Sequence, residues 1–229
     1  MAKVVAICGM PGSGKGVFGE VAKELGLPVR SMGDMIRAEV EARELTPDTH
    51  VFGRIAQELR DEYGDGVLAA RLAPLIDAEL ANHELLIIEG MRGVAEQEIF
   101  IEHWGVDFSV VAISASPSTR FDRIAARGRA EDGDRASFDD RDLREQRWGL
   151  QTLIEQADYV VSNSGSLESF AEKCHLFLVD TSFFLLFAYC HSCGHIYNSC
   201  RIEKREIIHL LLPHGRVVIE VFVTYIGVT

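Results

Sequence analysis

Short runs of apolar residues punctuate the chain, and longer stretches with helical spacing lie between them. "KVVAIC" (3–8) is apolar after its first residue, the pattern of a strand buried on both faces. "ELLIIEG" (84–90), "VDFSVVAISAS" (106–116) and "ADYVVSN" (157–163) read the same way, and "PVRS" (28–31) predicts a short further strand. Helical patterns fall at 15–25, 33–43, 48–63, 66–82, 117–127 and 139–156, and "SLESFAEK" (166–173) closes the series. The first helix stops at Gly26 with Pro28 just beyond, and Pro117 opens a later one. Strands that alternate with helices predict an α/β fold, a three-layer sandwich whose parallel five-stranded sheet is covered on both faces. No internal repeat is visible.

The first strand runs directly into "CGMPGSGKGVF" (8–18), which fits G-x-x-x-x-G-K. Gly9, Pro11, Gly12, Ser13 and Gly14 form a turn whose N–H groups point at an anion. The following helix adds its N-terminal dipole, and Lys15 adds a point charge for the outer phosphates. The rival reading, a glycine-rich turn with an incidental lysine, does not account for the strand before and the helix after. The next residue, Gly16, lacks the hydroxyl that commonly helps hold Mg²⁺. Either metal is held through water and a downstream carboxylate, or transfer is impaired. Glu89, at the end of a buried strand beside Gly90, is the candidate carboxylate. Its competing role is that of a capping or ion-paired acid.

Arginines cluster further on. Arg120, Arg123 and Arg127 are spaced i, i+3, i+7, on one helix face. Arg141, Arg144 and Arg147 repeat a three-residue spacing, and the polar stretch "GRAEDGDRASFDD" (128–140) between the stripes is a lid candidate. Such stripes serve equally as solvated faces paired with Asp122, Asp140, Asp142 and Glu145. The phosphate loop upstream favours a phosphate role for Arg123 and Arg127, since arginine binds phosphate bidentately and stays charged. Cys8 reads as an inert core thiol, and Trp104 and Trp148 as packing residues.

"GMPGSGKG" resembles the phosphate loop of adenylate kinase and its nucleoside monophosphate kinase relatives, in which glycine also follows the lysine. That family continues with threonine, where this chain has Val17. "SMGDMIR" resembles the family's Thr-Gly-Asp-x-x-Arg segment, which implies Arg37 on the acceptor phosphate with Asp34 nearby. "IIEGMRG" resembles Asp-Gly-Phe-Pro-Arg, one residue shorter, which implies Glu89 near hydrated metal and Arg92 on the acceptor. "DRIAARGR" resembles the edge of the lid, which implies Arg123 and Arg127 on the transferring phosphate. With "RD.RE" and "AD..V.N" further on, the chain is most similar to archaeal P-loop kinase-like proteins related to adenylate kinase or dephospho-coenzyme A kinase. The resemblance covers residues 3–173. It implies a P-loop nucleotide kinase-like phosphotransferase that binds ATP and Mg²⁺ and acts on a small nucleotide-like acceptor. Dephospho-coenzyme A as acceptor, and a nucleotide-sensing regulatory ATPase without an acceptor, stay open beside it.

Composition narrows the partners. A formal net charge of −12 argues against a nucleic-acid binder. "LFLVDTSFFLLFAYC" (176–190) is too short to span a bilayer and contains Asp180, so no membrane partner is expected. "VVAIC" is too short for a secretory signal, and only Cys8 precedes Cys174, so a reducing cytoplasm is the expected compartment. From His175 onward acids and bases balance, four against four, so the negative charge lies upstream. Residues 1–173 therefore read as the kinase-like domain and 174–229 as a separate extension. In the extension, Cys190, Cys193, His195 and Cys200 could hold Zn²⁺, although the second half of a zinc ribbon is missing and unbound thiols are the alternative. "GRVVIEVFVTYIGVT" predicts a strand that joins a sheet or pairs with another copy.

Overall fold

In the computed structural model, residues 3–48, 50–128, 133–190, 207–212 and 216–221 are described, with side chains through residue 179. β1 (Lys3–Cys8) takes the middle of the sheet because every residue from Val4 to Cys8 is buried. It pairs in parallel with β3 (Leu85–Glu89) on one side and β4 (Phe108–Ser114) on the other. β2 (Val29–Ser31) flanks β3, and β5 (Tyr159–Ser162) flanks β4, both in parallel. These are the five parallel strands the sequence predicts. β7 (Arg216–Val221) then pairs in parallel with β5, and β6 (Ile207–Leu212) runs antiparallel along β7. The order is β2-β3-β1-β4-β5-β7-β6, so the C-terminal segment extends the same sheet.

The period of two along β1 divides the core. Val4, Ala6 and Cys8 pack with α2 (Met32–Ala42), α3 (Val51–Tyr63), α4 (Val67–Leu80), α5 (Val94–Trp104) and α8 (Leu150–Gln156). Val5 and Ile7 pack on the other face with α1 (Lys15–Glu24) and α9 (Leu167–Cys190). Because the five strands are parallel, Cys8, Ser31, Glu89, Ser114 and Ser162 end along one edge of the sheet. In such sheets ligands bind beyond that edge.

Several elements differ from expectation, and α5 has no counterpart among the expected helices. The single helix expected at 139–156 is two, α7 (Arg135–Arg147) and α8. Gly149 separates them in a left-handed conformation, φ 94°. A Cβ on Gly93 would lie 2.7 Å from the Trp148 carbonyl oxygen, so contact with the segment before α5 fixes the bend. α7 also starts early, because Asp134 caps it by accepting from the Ser137 N–H at 2.9 Å. The second half of the expected lid is thus helical, and residues 129–132 lie outside the described residues. Finally, α9 continues to Cys190, and the expected division at residue 173 falls within it. Cys174, Phe177 and Leu178 are buried against the α1 side of the core. Among the described residues no helix is long and apolar enough to cross a membrane.

Candidate functional site

The loop Gly9–Gly14 links β1 to α1 at the ligand edge. Gly14 is the N-cap of α1, left-handed at φ 114°, and no side chain caps the helix. The first N–H groups of α1 are therefore left for a ligand, where the dipole favours negative charge. A Cβ on Gly14 would fall 2.3 Å from Asn163 Nδ2, so no larger residue fits without displacing Asn163.

Side chains from two other elements grip the loop's carbonyls. Asn163, just past β5, donates from Nδ2 to the Ser13 carbonyl at 2.8 Å. Arg120, on α6 (Pro117–Arg127), donates from Nη1 to the Pro11 carbonyl at 2.9 Å. Gly9, Pro11 and Ser13 are buried, and Gly16 is exposed with open space where a Cβ would be. Val17 packs against the hydrophobic core beside α9, which is the apolar use made of the position lacking a hydroxyl.

Lys15 is folded back. Its Nζ donates to the carbonyl oxygens of Gly9 and, at 3.3 Å, Met10. Burial lowers its pKa to about 8; Glu145 and Glu89 oppose that shift, whereas Arg92 and Arg141 add to it. Glu145, on α7, is buried with its side chain 3% exposed. Burial alone would raise its pKa, but Arg92, Arg141 and Lys15 outweigh it and bring it to about 2. Arg92 Nε lies 3.4 Å from Oε2 and Arg141 Nε 3.2 Å from Oε1. Three cationic side chains from three elements thus surround one buried carboxylate.

Arg92 is anchored from behind. Its own N–H and that of Gly93 donate to Glu96 Oε2 at 2.7 and 3.2 Å, and Arg60 Nη2 donates to Glu96 Oε1 at 2.8 Å. The Arg60–Glu96 pair is buried on both sides. Its guanidinium lies 4.4 Å from the Trp148 ring centroid, and the Trp148 Nε1–H donates to Gln57. Trp148 therefore packs, as expected.

The expected site residues do not all meet at the loop. Glu89 ends β3 with Oε2 beside Gly19 of α1, within electrostatic reach of Lys15, so it joins Lys15 and Arg92 at the loop. Arg123 Nη2 donates to the Asn163 carbonyl and Oδ1 at 3.2 and 2.9 Å, and its Nη1 is buried without a partner. Asp34 and Arg37 pair with each other on the exposed face of α2. The first turn of α2 meets the segment after β3, since a Cβ on Gly90 would lie 3.5 Å from the Gly33 nitrogen. Arg127 is exposed at the end of α6. Arg120 departs from the expected stripe: it is buried and forms a bidentate pair with Asp142 at 2.9 and 2.6 Å, fastening α6 to α7. Glu145 and Asn163 are central here, and sequence reasoning gave neither a role beyond a paired acid and a strand-end residue.

Beyond the cluster lies a groove of about 560 Å³ between α3 and α7, lined by Arg54, Arg144, Arg147 and Trp148 and also by the acids Glu58 and Asp61. A Cβ on Gly53 would lie 2.6 Å from Arg144 Cζ, so the bare α3 backbone makes room for that guanidinium. Arg144 Nε is buried with no hydrogen-bond partner among the described residues. Among the described residues, no group of three or more His, Cys, Asp or Glu is gathered to hold a metal ion. Glu89 alone beside the loop fits a hydrated ion rather than an all-protein cage. The expected zinc set lies outside the residues whose side chains are described.

A family model described as an AAA domain matches residues 8–140. A UPF0200 protein of Halobacterium salinarum is 40% identical over 168 residues, covering 73% of this chain and 88% of the relative. A UPF0200/UPF0201 protein of Archaeoglobus fulgidus is 42% identical over 178 residues; this covers 77% of the chain but 55% of that longer protein. Among solved structures, TT1252 from Thermus thermophilus matches with a TM-score of 0.55 and 19% identity over 78% of this chain and 97% of that one. That likeness shows the α/β fold, a parallel sheet flanked by helices.

Proposed function

The chain belongs to the UPF0200 family, and from that premise we propose that it is an ATP-dependent phosphotransferase acting on a small, phosphate-bearing, nucleotide-like acceptor. The observation that supports this reading is the adjacency of the loop and a groove that both carry cationic side chains. The loop with Lys15, Arg92 and Arg141 is linked through α7 to the groove lined by Arg54, Arg144 and Arg147 with Glu58 and Asp61, and Arg144 is within electrostatic reach of Arg92, Arg141 and Glu145. A donor triphosphate on the loop and an acceptor in the groove would meet at the cluster.

In this reading an acceptor oxygen attacks the γ-phosphorus and ADP leaves. Lys15 and Arg123 stabilise charge on the equatorial oxygens, which is most of what phosphoryl transfer asks of a protein. Arg92 would hold the acceptor, as would Arg37 once released from Asp34. Glu89 would hold the waters of a magnesium ion, which when bound neutralises the β- and γ-phosphate oxygens.

Gly16 and Val17, which offer no hydroxyl, favour a second reading: slow hydrolysis in a nucleotide-sensing regulatory ATPase. An acceptor screen separates the two. ADP formation is scored with ATP alone, with each nucleoside monophosphate, and with dephospho-coenzyme A. Stimulation by one acceptor is the expected result. Binding of ATP with no stimulation by any acceptor favours the sensor.

A further inference from the structure

We propose that Glu145 is a built-in counter-anion of the phosphate site, a positioning residue that holds Arg92 and Arg141 together before phosphate arrives and competes with it afterwards. The proposal rests on the reading of the loop as a triphosphate site.

Two kinds of arginine–carboxylate pair occur around the site, and their geometry differs. Arg120–Asp142 is bidentate, at 2.9 and 2.6 Å, and Arg60–Glu96 closes to 2.8 Å. Those lengths are normal for charge-assisted hydrogen bonds, and both pairs fasten helices together. At Glu145 the Arg141 Nε lies 3.2 Å from one oxygen and the Arg92 Nε 3.4 Å from the other. Both contacts to the carboxylate are longer than those of the two fastening pairs, and Arg92 Nη1 also donates to the Gly90 carbonyl at 3.1 Å. The carboxylate is nonetheless buried, a costly placement that an uncharged side chain of the same shape would avoid.

The charges facing Glu145 come from every neighbouring element: Lys15 from α1, Arg92 from the β3–α5 segment, and Arg141 and Arg144 from α7 itself. Glu89, at the end of β3, adds a second acid within reach of Lys15. Without Glu145, close cations would repel one another in a partly desolvated site. A phosphate would relieve that repulsion by taking the carboxylate's place as counter-charge. With Glu145 present the relief is already supplied, so the incoming phosphate gains less and leaves more readily. Glu145 thus exchanges phosphate affinity for a cluster that is assembled in advance.

The test uses the full chain and inorganic triphosphate as probe, with calorimetry and thermal unfolding as readouts. Glu145→Gln keeps the shape and removes the charge. It is expected to have a lower Tm than wild type without anion, to bind triphosphate about tenfold more tightly, and to show the larger anion-induced rise in Tm. Glu145→Asp is expected to retain wild-type affinity. If Glu145→Gln does not fold unaided, folding upon addition of triphosphate supports the proposal, and failure to fold in its presence overturns it. A merely structural acid would lower Tm and leave triphosphate affinity unchanged or weaker, which also overturns it. Wild-type protein that binds no triphosphate overturns the phosphate-site reading as well; wild-type binding with no gain in Glu145→Gln overturns the counter-anion alone.

Discussion

The phosphate loop offers backbone N–H groups from consecutive residues, whereas the cluster at α7 offers side chains from α1, α7 and the segment after β3. The loop is held from below by Asn163 and Arg120 at short distances. In the cluster the ion pairs to Glu145 are longer, and Arg92 also donates to the Gly90 carbonyl. The difference teaches how the two halves would divide the work. Backbone donors at a helix end are rigid, while guanidiniums on long side chains would turn toward charge that moves during transfer.

Removing the one side chain that belongs to both halves should have the largest effect. Lys15→Ala is expected to lower ATP turnover by roughly 10³-fold, the scale of losing a preorganised charge at the reacting group. Turnover within tenfold of wild type would place the reacting phosphate elsewhere. Arg123→Ala should follow, with kcat down about 10²-fold and nucleotide affinity nearly unchanged. An unchanged kcat would make Arg123 a clamp on Asn163 and nothing more.

Breaking the loop's support is the next step down. Asn163→Ala removes the bond to the Ser13 carbonyl and the acceptor of Arg123, and should lower stability by about 1–3 kcal/mol in denaturant unfolding. If stability holds, the loop keeps its shape without the clamp.

The lysine also gives the comparison a pH axis. Its pKa is lowered from its ordinary value to about 8, so above pH 8 the free protein loses the ammonium. Nucleotide affinity should fall as pH rises through that value, by up to about tenfold per pH unit. Between about 8 and the ordinary lysine range the unfolded chain binds more protons than the folded one, so this group's contribution to stability rises with pH. Weaker binding there would therefore not reflect lost folding. Lys15→Arg should flatten the profile, and a profile unaffected by that change would remove Lys15 from the binding site. The smallest effect is a gain: Val17→Thr should raise turnover about threefold, by adding a hydroxyl near the phosphates. No gain would show that the valine's packing outweighs it.

Local features of the chain were legible in the sequence. The five parallel strands, the loop and most helices follow from apolar runs, glycines and prolines that act within a few residues. Tertiary features were not. Arg141 and Glu145 are an i, i+4 pair, indistinguishable in sequence from a solvated helix pair; burial by Arg92 and Lys15 makes the acid central. The bend at Gly149 depends on Gly93, more than fifty residues earlier. Arg60 and Glu96 lie on α3 and α5, and nothing local joins them. Residues 91–105 carry no clean period, and α5 there packs Phe100 against Trp104 and Phe108. Apolar spacing did not show that α9 runs on to Cys190, because the run beyond 176 fits a strand as well as a helix.

The most direct test of the account follows the phosphate itself. ATP labelled at the γ-position is incubated with the wild-type chain, magnesium and a panel of nucleoside monophosphates with dephospho-coenzyme A. The account predicts label in one acceptor, in proportion to ADP formed, and its loss in Lys15→Ala. Label that appears only as inorganic phosphate, at a rate indifferent to every acceptor, would contradict it.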